Sequence, residues 1–109
     1  MGKENGLQHS LKLLELASYQ DGTIVSRTVI KSPHGSVTVF AFDRNQELSE
    51  HTVPYDALVY ILDGEAEIKI SGVAHQMGTG DAILMPANEP HAVKAAQKFK
   101  MLLSMVKQP

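Results

Sequence analysis

The sequence predicts an all-β fold, either a β-sandwich or a closed β-barrel, preceded by one short helix. Two observations favour this class: about nine or ten short strand-like runs are separated by turn residues, and no second helical pattern could complete a βαβ unit. With 109 residues, of which 43% are hydrophobic, the chain is long enough for one core and too short for two ordinary domains. We therefore expect a single domain over residues 1–109, with the barrel over about 23–107.

The N-terminal part of the chain carries the only helical pattern. Leu7, Leu11 and Leu14 recur at helical spacing, and Ser10 could cap the segment, so we predict a short helical arm over about residues 7–19. From Thr23 onward the chain becomes rich in β-branched residues, which indicates the first strand.

Two later runs show how strands would be buried. Ser36–Asp43 is apolar on both faces and predicts a strand covered on both sides. Glu65–Ile70 alternates charged and apolar residues, as expected of a half-buried antiparallel strand. We place turns on either side of this strand, at Asp63–Gly64 and Ser71–Gly72.

Composition excludes several classes of function. Ten basic and twelve acidic residues give a net charge of −2, and no basic cluster suggests binding to nucleic acid. No apolar run approaches the roughly 20 residues needed to span a membrane, and the first ten residues lack the apolar core of a signal peptide, so we predict a soluble, cytoplasmic protein. Because cysteine is absent, any metal would need nitrogen or oxygen ligands.

Two histidine-containing stretches carry the most specific signal. His51 precedes a strand-like run that ends at Gly64, and Gly80, Pro86 and His91 follow in the second stretch. Their spacing resembles the two motifs of the cupin family, G-x5-H-x-H with E-x6-G and then G-x5-P-x-G-x2-H-x3-N. The resemblance covers about residues 40–105, and implies a cupin-type double-stranded β-helix (a jelly-roll barrel) with a metal site in the barrel.

The chain departs from the cupin pattern at positions that bind metal. Val53 stands at the second histidine and Ala57 at the acidic ligand, which leaves only His51 and His91 of the expected ligand set. Asp56 does not replace the lost carboxylate, because strand side chains alternate and Asp56 would point away from the barrel.

The other departures concern the backbone and the close of the second motif. Asn45 and Asn88 replace motif glycines, and Ala95 replaces the closing asparagine. Asparagine tolerates the left-handed conformation better than most residues, so Asn88 is a mild change.

The retained fold and the missing ligands favour a protein that binds a small, mostly apolar or neutral molecule in its barrel cavity. Arg27 and Arg44 are the only arginines, so a pocket that clamps phosphate or a dicarboxylate is not indicated. The candidate lining residues are His51, Val53, Tyr55, Ala57, Val59, Ile61, Met85, His91 and Met101.

Two alternatives belong to other classes. The resemblance also implies a cupin enzyme, of dioxygenase or isomerase type, in which His51 and His91 hold Zn, Fe, Mn or Ni weakly with solvent; a metal-free enzyme would use histidine as general base. The third reading is a structural or regulatory module that acts as a homodimer, because the strand of Phe40 and Phe42 has no polar face to leave exposed.

Overall fold

A computed structural model describes residues 10–107 and shows an almost entirely β architecture, as predicted. Within these residues the strands number eight rather than nine or ten, and every pair is antiparallel. They are β1 (Ile24–Ser32), β2 (Gly35–Phe42), β3 (Glu47–His51), β4 (Tyr55–Ile70), β5 (Val73–Gly78), β6 (Ala82–Met85), β7 (His91–Lys94) and β8 (Phe99–Lys107).

The strands form two facing sheets that share β4. Sheet A has the order β1-β2-β8-β4-β6, and sheet B has the order β5-β4-β7-β3. The N-terminal part of β4 pairs with β6 and β8, and its C-terminal part pairs with β5 and β7. This curled arrangement is the predicted jelly-roll barrel, a double-stranded β-helix.

The predicted turn at Asp63–Gly64 is wrong, because β4 runs through it without a break. The register against β8 shifts between Ile61 and Asp63, and Gly64 has φ 89°, so the strand bulges and bends where it passes from sheet A to sheet B. An Asp-Gly pair supplies the positive φ that a hairpin turn needs. Here the positive φ of Gly64 accompanies a bulge within a continuous strand. The predicted turn at Ser71–Gly72 is confirmed.

The core lies between the two sheets and reaches from the bend in β4 to β6. Phe42 and Phe99 are paired across β2 and β8 and stack with ring centroids 4.5 Å apart. Both rings are fully buried. The core also contains the inward-facing side chains of β4, β6, β7 and β8.

The predicted N-terminal helix is present only as a single 3-10 turn, Leu13–Glu15, and residues 7–9 lie outside the described residues. A segment this short gains too few hydrogen bonds to form an α-helix by itself. Leu13, Leu16 and Ala17 instead pack against the outer face of sheet A, where Val39 and Ala41 of β2 are fully buried. The predicted cover on both faces of this strand is therefore present at Val39 and Ala41.

Polar contacts also hold the N-terminal segment on sheet A. The Tyr19 hydroxyl donates a hydrogen bond to Asp63 Oδ2 at 2.7 Å, and Lys100 Nζ donates to the Leu14 carbonyl at 2.6 Å. The ammonium groups of Lys98 and Lys100 lie 5.5 Å and 4.9 Å from the centroid of the Tyr19 ring. The pKa of Tyr19 is raised above its ordinary value by burial, and further by its hydrogen bond to the negative charge of Asp63.

Candidate functional site

Two neighbouring strands at one end of sheet B bring the predicted histidines together. His51 ends β3, His91 begins β7, and the two residues are direct cross-strand partners. Their ring centroids are 4.3 Å apart and the rings meet edge to face at 64°. The register between β3 and β7 shifts between Leu48 and His51, so an irregularity in β3 accompanies this pairing.

Each imidazole is fixed by its own strand in the same way. Nδ1 of His51 lies 2.8 Å from the carbonyl oxygen of Ser49, and Nδ1 of His91 lies 3.3 Å from that of Glu89. A carbonyl can only accept a hydrogen bond, so a neutral ring in either contact carries its proton on Nδ1. The Nε2 atom of each histidine therefore keeps a lone pair that can accept a hydrogen bond or bind a cation.

His91 is buried, with 7% of its surface exposed, but its Nε2 atom remains within reach of a ligand. No hydrogen bond among residues 10–107 uses this atom, and no buried side-chain nitrogen or oxygen in that range lacks a partner. The Nε2 edge must therefore contribute to the small exposed surface of the residue. His51 is exposed.

The surroundings of His91 favour its neutral form. Burial lowers the pKa of the imidazole below its ordinary value, the hydrogen bond to the Glu89 carbonyl opposes this shift, and repulsion from His51 adds to it. Near neutral pH, His91 is therefore an uncharged hydrogen-bond acceptor.

The loops beside the histidines are tied to each other through the backbone. Asn88 donates its N–H to the Val53 carbonyl at 2.8 Å, which joins the β6–β7 loop to the β3–β4 loop. Asn88 and Asn45 have φ 68° and 69°, so both asparagines adopt the left-handed conformation that motif glycines would adopt easily. The expectation that Asn88 tolerates this conformation is confirmed.

The other predicted lining residues divide into two groups. Val59 and Ile61 have no exposed surface, so they do not line a space that admits water. Ala57, Met85 and Met101 are 3%, 4% and 1% exposed and belong to the same core. Among the other predicted lining residues, only Val53 and Tyr55 are half-buried, so the predicted set reaches solvent at these two residues and at the histidines.

The predicted direction of Asp56 agrees with the structure. Ala57 points into the core, whereas Asp56 is exposed and its carboxylate accepts a hydrogen bond from the Ala87 N–H at 2.9 Å. Asp56 therefore does not fill the vacant acidic position.

The donor set does not fit the usual metal centres of proteins. Catalytic zinc takes three protein ligands, and the facial triad of non-haem iron takes two histidines and a carboxylate. Within residues 10–107, no group of three or more histidine, cysteine, aspartate or glutamate side chains is arranged to hold a metal ion. His51 and His91 thus form a pair without a third protein ligand.

Sequence reasoning missed a cavity that lies on the inner face of the β1–β2 hairpin. It has a volume of about 300 Å³. Tyr55 is the one predicted pocket residue in its wall; the rest of the wall is Thr28, Lys31, Ser32, Pro33, Gly35, Ser36, Thr38 and Met105. The alternation of residue types along Thr23–Lys31 could have indicated a polar face on this strand. It could not have indicated the register shift in β1 that determines which residues lie on that face.

A double-stranded β-helix with histidines from both sequence motifs at the barrel mouth is the architecture of the cupins. Residues 38–106 match the family described as Cupin domain, and the chain belongs to this family. The family often binds metals, which makes the incomplete ligand set of this chain a specific departure.

Three solved structures are similar to this chain over most of its length. A protein of unknown function from Streptococcus pyogenes is 37% identical, with a TM-score of 0.89, and the match covers 100% of this chain and 97% of that chain. A cupin superfamily protein from Desulfitobacterium hafniense is 26% identical, with a TM-score of 0.87 and 93% of each chain covered. A Cupin 2 conserved barrel domain protein from Leptotrichia buccalis is 39% identical, with a TM-score of 0.86; the match covers 89% of this chain and 47% of that chain, so this chain spans about half of its length.

No curated protein matches the sequence. Among residues 10–107, no helix has the length and apolar character needed to cross a membrane.

Proposed function

We propose that this cupin binds a small, largely uncharged molecule at the open end of its barrel, with His51 and His91 as polar anchors. The observation that carries the proposal is that both imidazole rings have the same hydrogen-bond arrangement. Each Nδ1 contacts a backbone carbonyl, which leaves each Nε2 as a free acceptor. Two acceptors side by side suit a ligand with O–H or N–H donors.

The apolar side chains beside the histidines define the rest of the ligand's chemistry. Val53 supplies half-buried apolar surface, and the buried Met85, Val59 and Ile61 belong to the core that closes the barrel below it. A ligand would therefore sit at the mouth and insert little into the core. Such a site, with apolar walls and few polar groups that fix orientation, is typical of small-molecule binding.

The experiment is a calorimetric screen of neutral fragments that carry O–H or N–H donors, followed by titration of each hit into variants. His51→Ala and His91→Ala each remove one acceptor, and we expect each to weaken binding by roughly tenfold. His34→Ala is the matched control, because His34 is an exposed histidine in the β1–β2 turn and should leave affinity unchanged.

Hits that bind equally well to the wild type and to a His51→Ala/His91→Ala double variant would contradict the proposal. Circular dichroism of each variant would show that loss of binding is not loss of fold, since His91 is buried and its replacement can also lower stability.

A second candidate function is assembly as a homodimer through the outer face of sheet A. One row of outward-facing residues crosses all five strands, and these residues are direct cross-strand neighbours: Leu84, Leu58, Ser104, Val37 and Ile30. Leu84, Leu58 and Ile30 are 69%, 38% and 46% exposed. Four of the five residues in this row are apolar, and a contiguous exposed apolar patch is typical of a protein–protein contact.

The occupant that we propose for this face is a second copy of the chain, because two identical faces can pack as the sheets of a β-sandwich do. Among residues 10–107, the N-terminal segment packs on the part of the face around Val39 and Ala41, and Leu84, Leu58 and Ile30 remain exposed. Leu58→Asp should convert a dimer into a monomer in sedimentation experiments. Val73→Asp changes an exposed apolar residue of sheet B and should not; a wild type that is monomeric at micromolar concentration would refute this assembly.

A further inference from the structure

The geometry points to a second binding site, in the cavity on the inner face of the β1–β2 hairpin, for a small organic acid that carries hydroxyl groups. We call this cavity the hairpin pocket; its wall is formed by residues of the β1–β2 hairpin together with Tyr55 and Met105. Neither His51 nor His91 lines the hairpin pocket, and Tyr55 is the one residue that it shares with the predicted histidine pocket.

A bulge in β1 places the charged residue of this pocket. Thr28 pairs with Thr38, but the next pair is Ile30 with Val37, so Val29 is an extra residue in β1. Val29 packs on the outer face of sheet A, and Ile30, paired with the outward Val37, lies on the same side. Two successive residues therefore face outward.

The consequence of the bulge is a change in which residues share the inner face. Thr28 faces inward before the bulge and Lys31, the partner of Ser36, faces inward after it. In a regular strand Ile30 would take the inward position and Lys31 would lie on the apolar outer face. Bulges commonly redirect a side chain next to a functional site.

The opposite wall of the hairpin pocket comes from β4 and β8. Met105 of β8 is the cross-strand partner of both Ser36 and Ala57. Tyr55, which follows Pro54, is the first residue of β4. The pocket therefore contains a phenol and a thioether opposite the hydroxyl groups of β1 and β2.

The chemistry of the lining selects the ligand. The wall carries four aliphatic hydroxyl groups, one phenol and a single ammonium group, that of the exposed Lys31, and no carboxylate is among the lining residues. One positive charge without a carboxylate partner in the wall favours a ligand with a single negative charge. Lysine presents a point charge and does not make the bidentate contact by which arginine binds phosphate or a dicarboxylate. The hydroxyl groups can both donate to and accept from a hydroxylated ligand.

The size of the pocket sets an upper limit on the ligand. A cavity of about 300 Å³ is at the small end of the range for ligand sites, so it suits a molecule of a few carbon atoms. A short hydroxy acid meets the requirements of charge, polarity and size together.

The test uses sodium glycerate as the probe and amide chemical shifts of the full chain as the readout. Glycerate should shift the amides of Thr28, Lys31 and Thr38 in a saturable way. Glycerol, which lacks the carboxylate, and sodium propionate, which lacks the hydroxyl groups, should each bind at least roughly tenfold more weakly. Sodium chloride at equal concentration controls for ionic strength.

Two variants and a control separate charge from hydroxyl contacts. Lys31→Met keeps the aliphatic chain and removes the charge, and Thr38→Val keeps the shape and removes the hydroxyl; each should weaken glycerate binding by about tenfold. Lys69→Met removes an exposed lysine of sheet B that is not in the pocket wall and should have no effect.

The inference is overturned if glycerate gives no saturable shifts in the hairpin pocket, or if both Lys31→Met and Thr38→Val bind it as tightly as the wild type. Either outcome would leave the histidine site intact, because fragment binding there is judged from His51 and His91.

Discussion

Replacement of Gly64 by alanine should disrupt the bend through which β4 joins the two sheets. Gly64 has φ +89°, and an added Cβ would lie 2.3 Å from the carbonyl oxygen of Lys98 and 3.0 Å from Cα of Phe99. Both obstacles are backbone atoms of the segment that leads into β8, so no side-chain rotation relieves the contact. The substitution therefore combines a strained backbone with a steric conflict.

The expected size follows from these two contributions. A left-handed conformation costs alanine roughly 1–2 kcal/mol, and forcing extra volume into a packed site adds about 1–3 kcal/mol. Gly64→Ala should thus lower the free energy of unfolding by about 2–5 kcal/mol. Gly72→Ala is the matched control: Gly72 has φ +83° but nothing within 4 Å of the added Cβ, so we expect the strain alone, about 1–2 kcal/mol.

Urea denaturation at one pH measures both variants, with the slope of the transition checked for a common value. The difference between the two midpoints should be about 1 M urea for a small protein. If Gly64→Ala and Gly72→Ala lower the midpoint equally, the close approach of β8 to Gly64 does not contribute, and the account of the bend is refuted.

Three further predictions concern single side chains. Burial holds the pKa of His91 below its unfolded value of about 6.5, so the unfolded state takes up this proton more readily. The free energy of unfolding should therefore fall as the pH drops below that value, by at most about 1.4 kcal/mol per pH unit for one proton. Urea midpoints measured between pH 8 and 5 should fall less steeply in His91→Gln than in the wild type, and equal slopes would contradict this prediction. Tyr19→Phe removes the hydrogen bond to Asp63 and should lower the free energy of unfolding, measured by urea denaturation, by about 0.5–1.5 kcal/mol. An unchanged free energy of unfolding would contradict a stabilising role for this hydrogen bond. The same variant should remove a tyrosine that ionises above its ordinary pKa in an absorbance titration, because burial and Asp63 raise the pKa of Tyr19; persistence of that late step in the variant would contradict this assignment.

The barrel could be predicted from the sequence because its signals are local and repeated. Alternation over Glu65–Ile70 and the spacing of Gly80, Pro86 and His91 specify strands and a family pattern without knowledge of long-range contacts. Asn88 could also be understood in advance, since few residues adopt its left-handed backbone easily.

The errors arose where a local signal has two structural uses. The Asp63–Gly64 pair supplies a positive φ, and only the neighbouring β8 shows that a bulge uses it instead of a turn. The N-terminal leucines predicted a helix, yet Leu13 and Leu16 gain their burial from the outer face of sheet A, which one 3-10 turn is enough to provide.

The residues of the candidate site could be predicted from the sequence, but the protonation of each imidazole could not. Sequence placed His51 and His91 together, whereas the contacts that fix each Nδ1 depend on carbonyls two residues earlier and on the local path of each strand. The hairpin pocket was missed because the extra residue Val29 lies in a run of β-branched residues that gives no sign of a bulge. Its effect on Lys31 follows from the pairing alone.

The most direct test of the histidine site is a long-range proton–nitrogen NMR spectrum of the imidazole side chains above pH 7, with and without a saturating fragment from the screen. We predict that His51 and His91 both carry their proton on Nδ1 in the free protein, and that the fragment shifts both Nε2 signals while the Nδ1 signals change little. A proton on Nε2 of either histidine in the free protein, or a bound fragment that leaves both Nε2 signals unchanged, would contradict the proposed binding site.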